Sequence, residues 1–156
     1  MRFLAGIRNP DRASVEFWAW ASLDANAVIV FTGGLVRLTG SGLGCPTWPK
    51  CTDDSFVPHR ALGTHGVIEF GNRMLTYVLV FVVISTFIAV WRWSSTTRTL
   101  RRLALIIALG VPFQAVIGGI SVLTDLNPWV VSLHFILSMG LVATSTILVL
   151  RVRGET

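Results

Sequence analysis

Four long apolar stretches, separated by one long and two short polar connections, organise the 156-residue chain. A helix needs about 20 apolar residues to cross the hydrocarbon core of a bilayer. Four stretches satisfy this requirement, at roughly 15–38, 65–91, 103–123 and 128–150. Pro128 suits the first turn of the last stretch, because a missing N–H costs nothing there. The pattern predicts an all-α fold, a single polytopic membrane four-helix bundle over 1–156, with a loop at 39–64.

The distribution of arginines predicts how this bundle lies in the membrane. Basic residues collect in the N-terminal segment, the second connection and the C-terminal tail, whereas the third connection, around Asp125, contains none. Loops rich in Lys and Arg stay on the cytoplasmic side, so we expect both termini in the cytoplasm and loop 39–64 outside the cell. The chain would then be a multi-pass protein of the plasma membrane, surrounded by membrane lipid.

Composition agrees with a membrane protein and argues against nucleic acid as a partner. Hydrophobic residues make up 53% of the chain and charged residues 13%, whereas a soluble domain carries about 25% charged residues. The net charge of +5 comes from arginines that flank the apolar spans. These arginines form no patch interleaved with aromatic residues, which a nucleic-acid surface would need.

Loop 39–64 contains both cysteines of the chain, Cys45 and Cys51. Outside the cell, two cysteines six positions apart favour a structural disulfide. A redox-active dithiol and a metal clip are the alternatives. Two thiols alone make a poor closed metal site, because zinc takes four ligands.

Polar residues inside the apolar spans are the first place to look for chemistry, because ionisable side chains in lipid are costly. The second span contains four of them, spaced i, i+4, i+7 and i+8: His65, Glu69, Asn72 and Arg73. This spacing places all four on one helix face. A polar face at membrane depth turns toward the bundle interior or a cavity, so we expect this stripe to face inward.

His134 lies about six residues into the fourth span, at roughly the depth of Asn72, about 10 Å below the outer surface. We therefore expect Glu69, Asn72 and His134 to meet in the outer half of the bundle, with His65 nearer the surface. A neutral imidazole in an apolar four-helix interior is a natural axial ligand for heme iron. The alternative role for His134 is that of a packed, hydrogen-bonded helix residue.

Three further polar residues are candidates for contact with a bound heme: Arg37, Arg73 and Gln114. A guanidinium fork matches a propionate carboxylate, which suits Arg37 at the end of the first span and the deeper Arg73. The alternatives are that Arg37 extends to the surface and that Arg73 pairs with Glu69. Gln114 lies midway between two glycines whose spacing lets helices approach closely, so an interhelical hydrogen bond is its alternative role.

Four runs of the sequence resemble the heme A synthase family, integral membrane enzymes that convert heme O to heme A for cytochrome oxidase. The runs are GGLVRLTGSGLGCPTWPKC (33–51), IEFGNR (68–73), QAVIGG (114–119) and LHF (133–135). The second run, with its asparagine, is similar to the actinobacterial branch of the family. Members are eight-helix proteins built from two pseudo-symmetric four-helix bundles, and the resemblance places this chain at the N-terminal bundle.

This resemblance implies a membrane heme-dependent oxidoreductase. One bundle is expected to bind heme O as substrate and the other heme b as cofactor, each heme with its iron held by histidines. The C8 methyl of heme O is oxidised by successive hydroxylation, and loss of water leaves a formyl group. By resemblance, Glu69 is the catalytic residue, His134 the iron ligand, and Cys45 and Cys51 the loop cysteines. Heme O synthase and an electron donor are the expected partners.

The chain departs from the family pattern at the second iron ligand. Asn72 occupies a position where the family commonly has histidine, and asparagine is a poor ligand for iron. Either the heme has one protein ligand here, or another residue such as His65 takes the second position. His65 lies on the correct face but two turns, about 10 Å, too high. An open iron position would suit a substrate site.

The second departure is length, since the chain corresponds to half of a family member. We expect it to act as a homodimer, the commonest assembly, or with a second four-helix half from another chain, or as a piece of a longer protein. The rival function is a non-catalytic membrane module that binds or delivers heme and needs a partner chain. A cytochrome b electron carrier is disfavoured, because it needs facing histidine pairs and only His134 lies deep in the membrane.

Overall fold

The structure, a computed structural model, describes residues 10–154, and the rest of the predicted domain 1–156 lies outside the described residues. Within the described range there are four long α-helices and no strand. The helices are α1 (Arg12–Leu38), α2 (Gly63–Arg92), α3 (Arg98–Leu123) and α4 (Pro128–Arg153). Each is long and apolar enough to cross a membrane. The predicted all-α fold with four membrane helices is therefore confirmed.

Each predicted span lies inside one of these helices, and the helices extend further, mainly at their arginine-bearing ends. α3 begins at Arg98 and α4 continues to Arg153, because polar residues next to an apolar span still continue its backbone hydrogen bonds. The long loop contains a short 3-10 turn at Arg60–Leu62, directly before α2.

Side chains cap the starts of three helices. The Asp11 carboxylate accepts a hydrogen bond from the Ser14 N–H at 2.8 Å, ahead of α1. Thr97 and Asn127 accept equivalent hydrogen bonds ahead of α3 and α4. Such caps satisfy N–H groups that have no partner within the helix. Hydrogen bonds from Ser14 also hold the pKa of the Asp11 carboxyl below its ordinary value.

The four helices form a ring in which each packs against two neighbours: α1 on α2, α2 on α3, α3 on α4, and α4 on α1. The Arg12 guanidinium donates to the Arg153 carbonyl at 2.8 Å, so α1 begins where α4 ends. We name this the basic end, since the Arg92–Arg98 connection also lies there. The opposite end, with residues 39–62 and the α3–α4 connection, is the loop end.

The hydrophobic core lies mainly in the half of the bundle next to the basic end. It includes Val15 and Trp18 of α1, Val83 of α2, Ile107 of α3 and Leu148 of α4. Toward the loop end the packing loosens on three helices. No residue is buried between Asn26 and Val36, between Glu69 and Leu79, or in α4 before Leu141. On these three helices the loop-end half is therefore packed less tightly than the core.

Candidate functional site

Cys45 and Cys51 form a disulfide with an S–S distance of 2.03 Å, which confirms the predicted disulfide. Both side chains are buried, at 0% and 1% exposure. Sulfurs joined to each other do not act as thiolate ligands, so this state does not support the metal clip. A redox function of the pair stays a prediction.

Glycines let the disulfide loop lie directly on the helix ends. A Cβ on Gly44 would collide with the backbone of His65, so the loop crosses the first turn of α2 at closest approach. A Cβ on Gly119 would likewise run into the ring of Trp48, which packs on α3. The loop thus covers the loop end of the bundle across two helices.

Glu69 joins this loop to α2. Its side chain is buried, at 5% exposure. The Oε2 atom accepts a hydrogen bond from the Cys45 N–H at 2.7 Å, and Oε1 pairs with the guanidinium of Arg73 one turn away. A buried carboxylate needs such partners, because an unpaired buried charge is costly. Glu69 therefore connects the disulfide loop to the helix that carries the polar stripe.

Arg73 uses all of its hydrogen-bonding capacity inside the protein. A guanidinium has five N–H donors. Nε and one Nη2 donor reach Glu69 Oε1, and the other Nη2 donor reaches the Cys45 carbonyl at 2.9 Å. Nη1 donates to the carbonyls of Thr47 and Lys50, both at 3.0 Å. The i, i+4 pairing of Arg73 with Glu69 is present, and a propionate could bind Arg73 only by displacing one of these partners.

The other two members of the polar stripe contact different elements. Asn72 is half-buried, and its Oδ1 accepts a hydrogen bond from the Thr32 hydroxyl of α1 at 2.8 Å. His65 is exposed, and its Nδ1 lies 2.9 Å from the Ser41 hydroxyl in the loop. His65 and Asn72 are seven residues apart along α2, about 10 Å of helix rise.

His134 lies six residues beyond the start of α4 and shares a face with Leu141 and Leu148, both buried in the core. Its ring packs against Gly118 of α3. A Cβ added to Gly118 would lie 3.3 Å from the Cε1 atom of the His134 ring. Nδ1 is buried and has no hydrogen-bond partner among residues 10–154. Most buried polar atoms are paired, so the unpartnered Nδ1 makes His134 a candidate ligand-binding residue.

Gln114 links α3 to α4 beside His134. Its side chain is buried, at 8% exposure. Nε2 donates to the His134 carbonyl at 3.1 Å and to the Ser138 hydroxyl at 2.9 Å, so the interhelical hydrogen bond is present. Its Oε1 is buried without a donor. Gln114 thus fixes the α4 backbone at the turn that carries His134 and keeps one acceptor unused.

These contacts form two groups. On one side Glu69 and Arg73 bind the loop, and Asn72 binds α1; on the other, Gln114 binds the turn of His134. Glu69 and His134 each lie six residues from the loop-end start of their helix, a rise of about 9 Å. Arg37 lies exposed in the last turn of α1, at the same end. The structure shows no direct bond joining the two groups.

The loop-end interior fits a heme. His134 supplies an unpartnered imidazole, the form of histidine that ligates iron. Gly33 lies on α1 between Asn26 and Val36, and an added Cβ there would meet nothing within 4 Å. The side chains of 27–35 on α1, 70–78 on α2 and 128–140 on α4 are half-buried or exposed, whereas Gln114 and Ile117 of α3 are buried. An apolar, loosely packed section with one free imidazole is what a planar iron porphyrin needs in a helical bundle.

Sequence reasoning missed several contributors to this site. Thr32, Ser41 and Ser138 each bond a predicted site residue, yet as single hydroxyl residues they have no distinguishing spacing. Gly44 and Trp48, which seat the loop, lie within the cysteine run. The density of glycine there was an available signal, since glycine marks close backbone approach.

The fold and the site define a class, a multi-pass helical membrane protein in which a disulfide-closed loop covers one end of a four-helix bundle. The chain belongs to the COX15-CtaA family of cytochrome oxidase assembly proteins, whose sequence profile matches residues 16–62 and 61–156. This confirms the resemblance drawn from the four sequence runs.

Curated relatives share the sequence over most of this chain. The heme A synthase of Listeria welshimeri is 32% identical over 139 residues, which cover 88% of this chain and 45% of the relative. The heme A synthase of Bacillus pumilus is 32% identical over 83% of this chain and 43% of its own length. That of Halalkalibacterium halodurans is 31% identical over 78% and 40%. The chain thus spans about half the length of these relatives. No solved structure matches it significantly.

Proposed function

We propose that this chain is a heme A synthase or its heme O-binding half, in which the C8 methyl of heme O is oxidised to a formyl group. The observation that carries the proposal is the Nδ1 atom of half-buried His134, which is shielded from solvent and has no hydrogen-bond partner among the described residues. Family membership and relatives named heme A synthase support it. Heme O is the substrate, and its iron is the atom that His134 would hold.

Among the two arginine candidates for the propionates, Arg37 is the better placed. All five donors of Arg73 are already used by Glu69 and the loop. Arg37 is exposed at the loop end of α1, and its guanidinium forms no ion pair among the described residues. Asn72 is bonded to Thr32 and would lie beside the porphyrin without ligating iron. His134 is then the iron ligand, and His65 remains the candidate for a second one.

Glu69 is the proposed catalytic residue, and its two oxygens differ. Oε1 accepts two hydrogen bonds from Arg73, whereas Oε2 accepts one, from the Cys45 N–H. A carboxylate oxygen has two acceptor positions, so Oε2 retains one. In this proposal an external oxidant takes up the electrons that the C8 methyl loses, and Oε2 receives a proton released in the same step. Arg73 and the loop hold the carboxylate in place.

The proposed orientation places the loop end outside the plasma membrane and the basic end in the cytoplasm. Arg12, Arg92, Arg98, Arg102 and Arg151 lie at the basic end, as expected for a cytoplasmic surface. Labelling with a membrane-impermeant maleimide tests this. Asp54→Cys, in the loop, should react in intact cells, and Ser95→Cys, at the basic end, only after lysis; the reverse result would invert the topology.

A second four-helix unit would complete the enzyme by supplying a heme b site. It could be another copy of this chain in a homodimer or a different chain. Heme O synthase would deliver the substrate, and an electron-transfer partner would take part in the oxidation. The chain would instead be a non-catalytic heme-binding module if it binds heme O but does not convert it to heme A when either kind of second unit is present.

Replacing Glu69 with glutamine tests its role. We expect Glu69→Gln to bind heme O but to lose conversion to heme A by at least about 100-fold, the scale of general acid–base catalysis. The assay is heme analysis of cells that make heme O and express the variant. Glu16→Gln, which alters an ion pair with Arg153 at the basic end, is the control. Full conversion by Glu69→Gln would contradict the assigned role.

A further inference from the structure

A groove of about 300 Å³ opens sideways between α3 and α4. Its lining is almost entirely apolar: Ile106, Gly110, Phe113, Gln114, Leu137, Gly140, Leu141 and Thr144. Gln114 and Leu141 are buried and form its floor, whereas Ile106 and Phe113 are exposed at its rim. The groove therefore suits an apolar chain that lies partly in protein and partly in lipid.

Gln114, which lines this apolar groove, has one hydrogen-bond acceptor without a partner among the described residues. The orientation of its amide is fixed, since the group that faces the His134 carbonyl and the Ser138 hydroxyl must be the donor Nε2. Oε1 is consequently the free atom, and it is buried without a donor. A buried acceptor without a partner is unfavourable, so a ligand with an O–H group would complete it.

The position of the groove ties it to the heme site. Gln114 bonds the backbone of His134, and the His134 ring rests on Gly118, one turn from Gln114. An occupant of the groove would therefore lie next to a porphyrin whose iron is held by His134. Heme O has the matching chemistry: one pyrrole carries a hydroxyl-bearing carbon followed by a long isoprenoid chain, where heme B has a vinyl group.

We propose that the α3–α4 groove binds the isoprenoid side chain of heme O, and that Gln114 Oε1 accepts a hydrogen bond from its hydroxyl. The inference rests on the proposed function and extends it, because it names the groove as the part of the protein that distinguishes heme O from heme B. Gln114 is then a specificity-determining residue, and Gly140 keeps the groove open. A Cβ on Gly140 would meet nothing within 4 Å, so the space beside it is available.

The test is a titration of the purified protein in mild detergent, once with heme O and once with heme B. Binding is measured from the change in heme absorption. We expect the chain to bind heme O at least about tenfold more tightly than heme B, from one hydrogen bond and the buried apolar chain. Gly140→Leu should fill the groove and remove this preference while leaving heme B affinity unchanged. Gln114→Leu should weaken heme O binding more than heme B binding. A variant that misfolds would lose affinity for both hemes, so the ratio of the two affinities separates a change in specificity from a loss of folded protein.

A control variant separates the groove from general effects. Gly34→Leu adds the same side chain to α1 at another position with open space, outside the groove, and should retain the heme O preference. Equal affinity of the unaltered chain for both hemes, or equal loss of both hemes in Gly140→Leu, would overturn the inference. Failure of the unaltered chain to bind either heme would instead contradict the proposed function.

Discussion

Replacing His134 with alanine is expected to abolish tight binding of heme O by this chain. The imidazole is the buried, unpartnered nitrogen group on the interior face of α4, and we propose that it ligates the iron. Loss of residues that merely support a ligand weakens metal binding by about 10- to 100-fold, so loss of the ligand itself should exceed about 100-fold. The measurement is an absorption titration of the purified protein with heme O.

Two other histidines provide comparisons for this experiment. His59→Ala changes an exposed loop histidine and should leave the titration unchanged. His65→Ala tests the second-ligand candidate, which already bonds Ser41. If it changes the iron spectrum, His65 contributes a ligand; if it does not, His134 is the only histidine ligand from this chain. Tight heme O binding with an unaltered spectrum in His134→Ala would contradict the account of the site.

Replacing Arg73 with glutamine is expected to loosen the disulfide loop. The substitution removes hydrogen bonds to three loop carbonyls, those of Cys45, Thr47 and Lys50, and leaves Glu69 without its counter-charge. Breaking a buried ion pair costs about 3–5 kcal/mol. Since the Arg73 side chain is 19% exposed, we expect the substitution to destabilise the closed loop by about 3 kcal/mol, the lower end of that range. Opening of the loop should then become about 100-fold more frequent.

Reduction of the disulfide reports this opening, because both sulfurs are buried in the closed loop. In detergent, a water-soluble reductant should reduce the Arg73→Gln variant about 100-fold faster than the unaltered chain, following the estimate above. Arg60→Gln removes an exposed arginine within the same loop and should leave the rate unchanged. If Arg73→Gln and the unaltered chain are reduced at one rate, Arg73 does not hold the loop closed.

The helices and the disulfide could be predicted from the sequence because each depends on local pattern. An apolar run of sufficient length has few alternatives in a membrane, and the only two cysteines lie close together in one loop. The pairing of Arg73 with Glu69 was the alternative to propionate binding, and their i, i+4 spacing was its signal. In each case the partners are neighbours along the chain, so helix geometry alone brings them together.

The remaining contacts could not be predicted, because they join residues far apart in sequence. The donors of Arg73 reach loop carbonyls more than twenty residues away, and backbone carbonyls carry no sequence signature. Asn72 was expected beside His134, but its visible partner is Thr32. The loose packing of the loop-end half also escapes sequence analysis, since its interior positions are as apolar as those of the core. These non-local features define the proposed heme site.

Heme extraction is the most direct test of the central claim that the loop-end half binds heme O through His134. The chain and its His134→Ala variant would be expressed in a host that makes heme O and purified in mild detergent. Bound hemes would be identified by chromatography and mass spectrometry. We expect heme O, or its oxidised products including heme A, in the unaltered chain and a large loss in the variant. Recovery of no heme from the unaltered chain, or of equal heme from both, would contradict it.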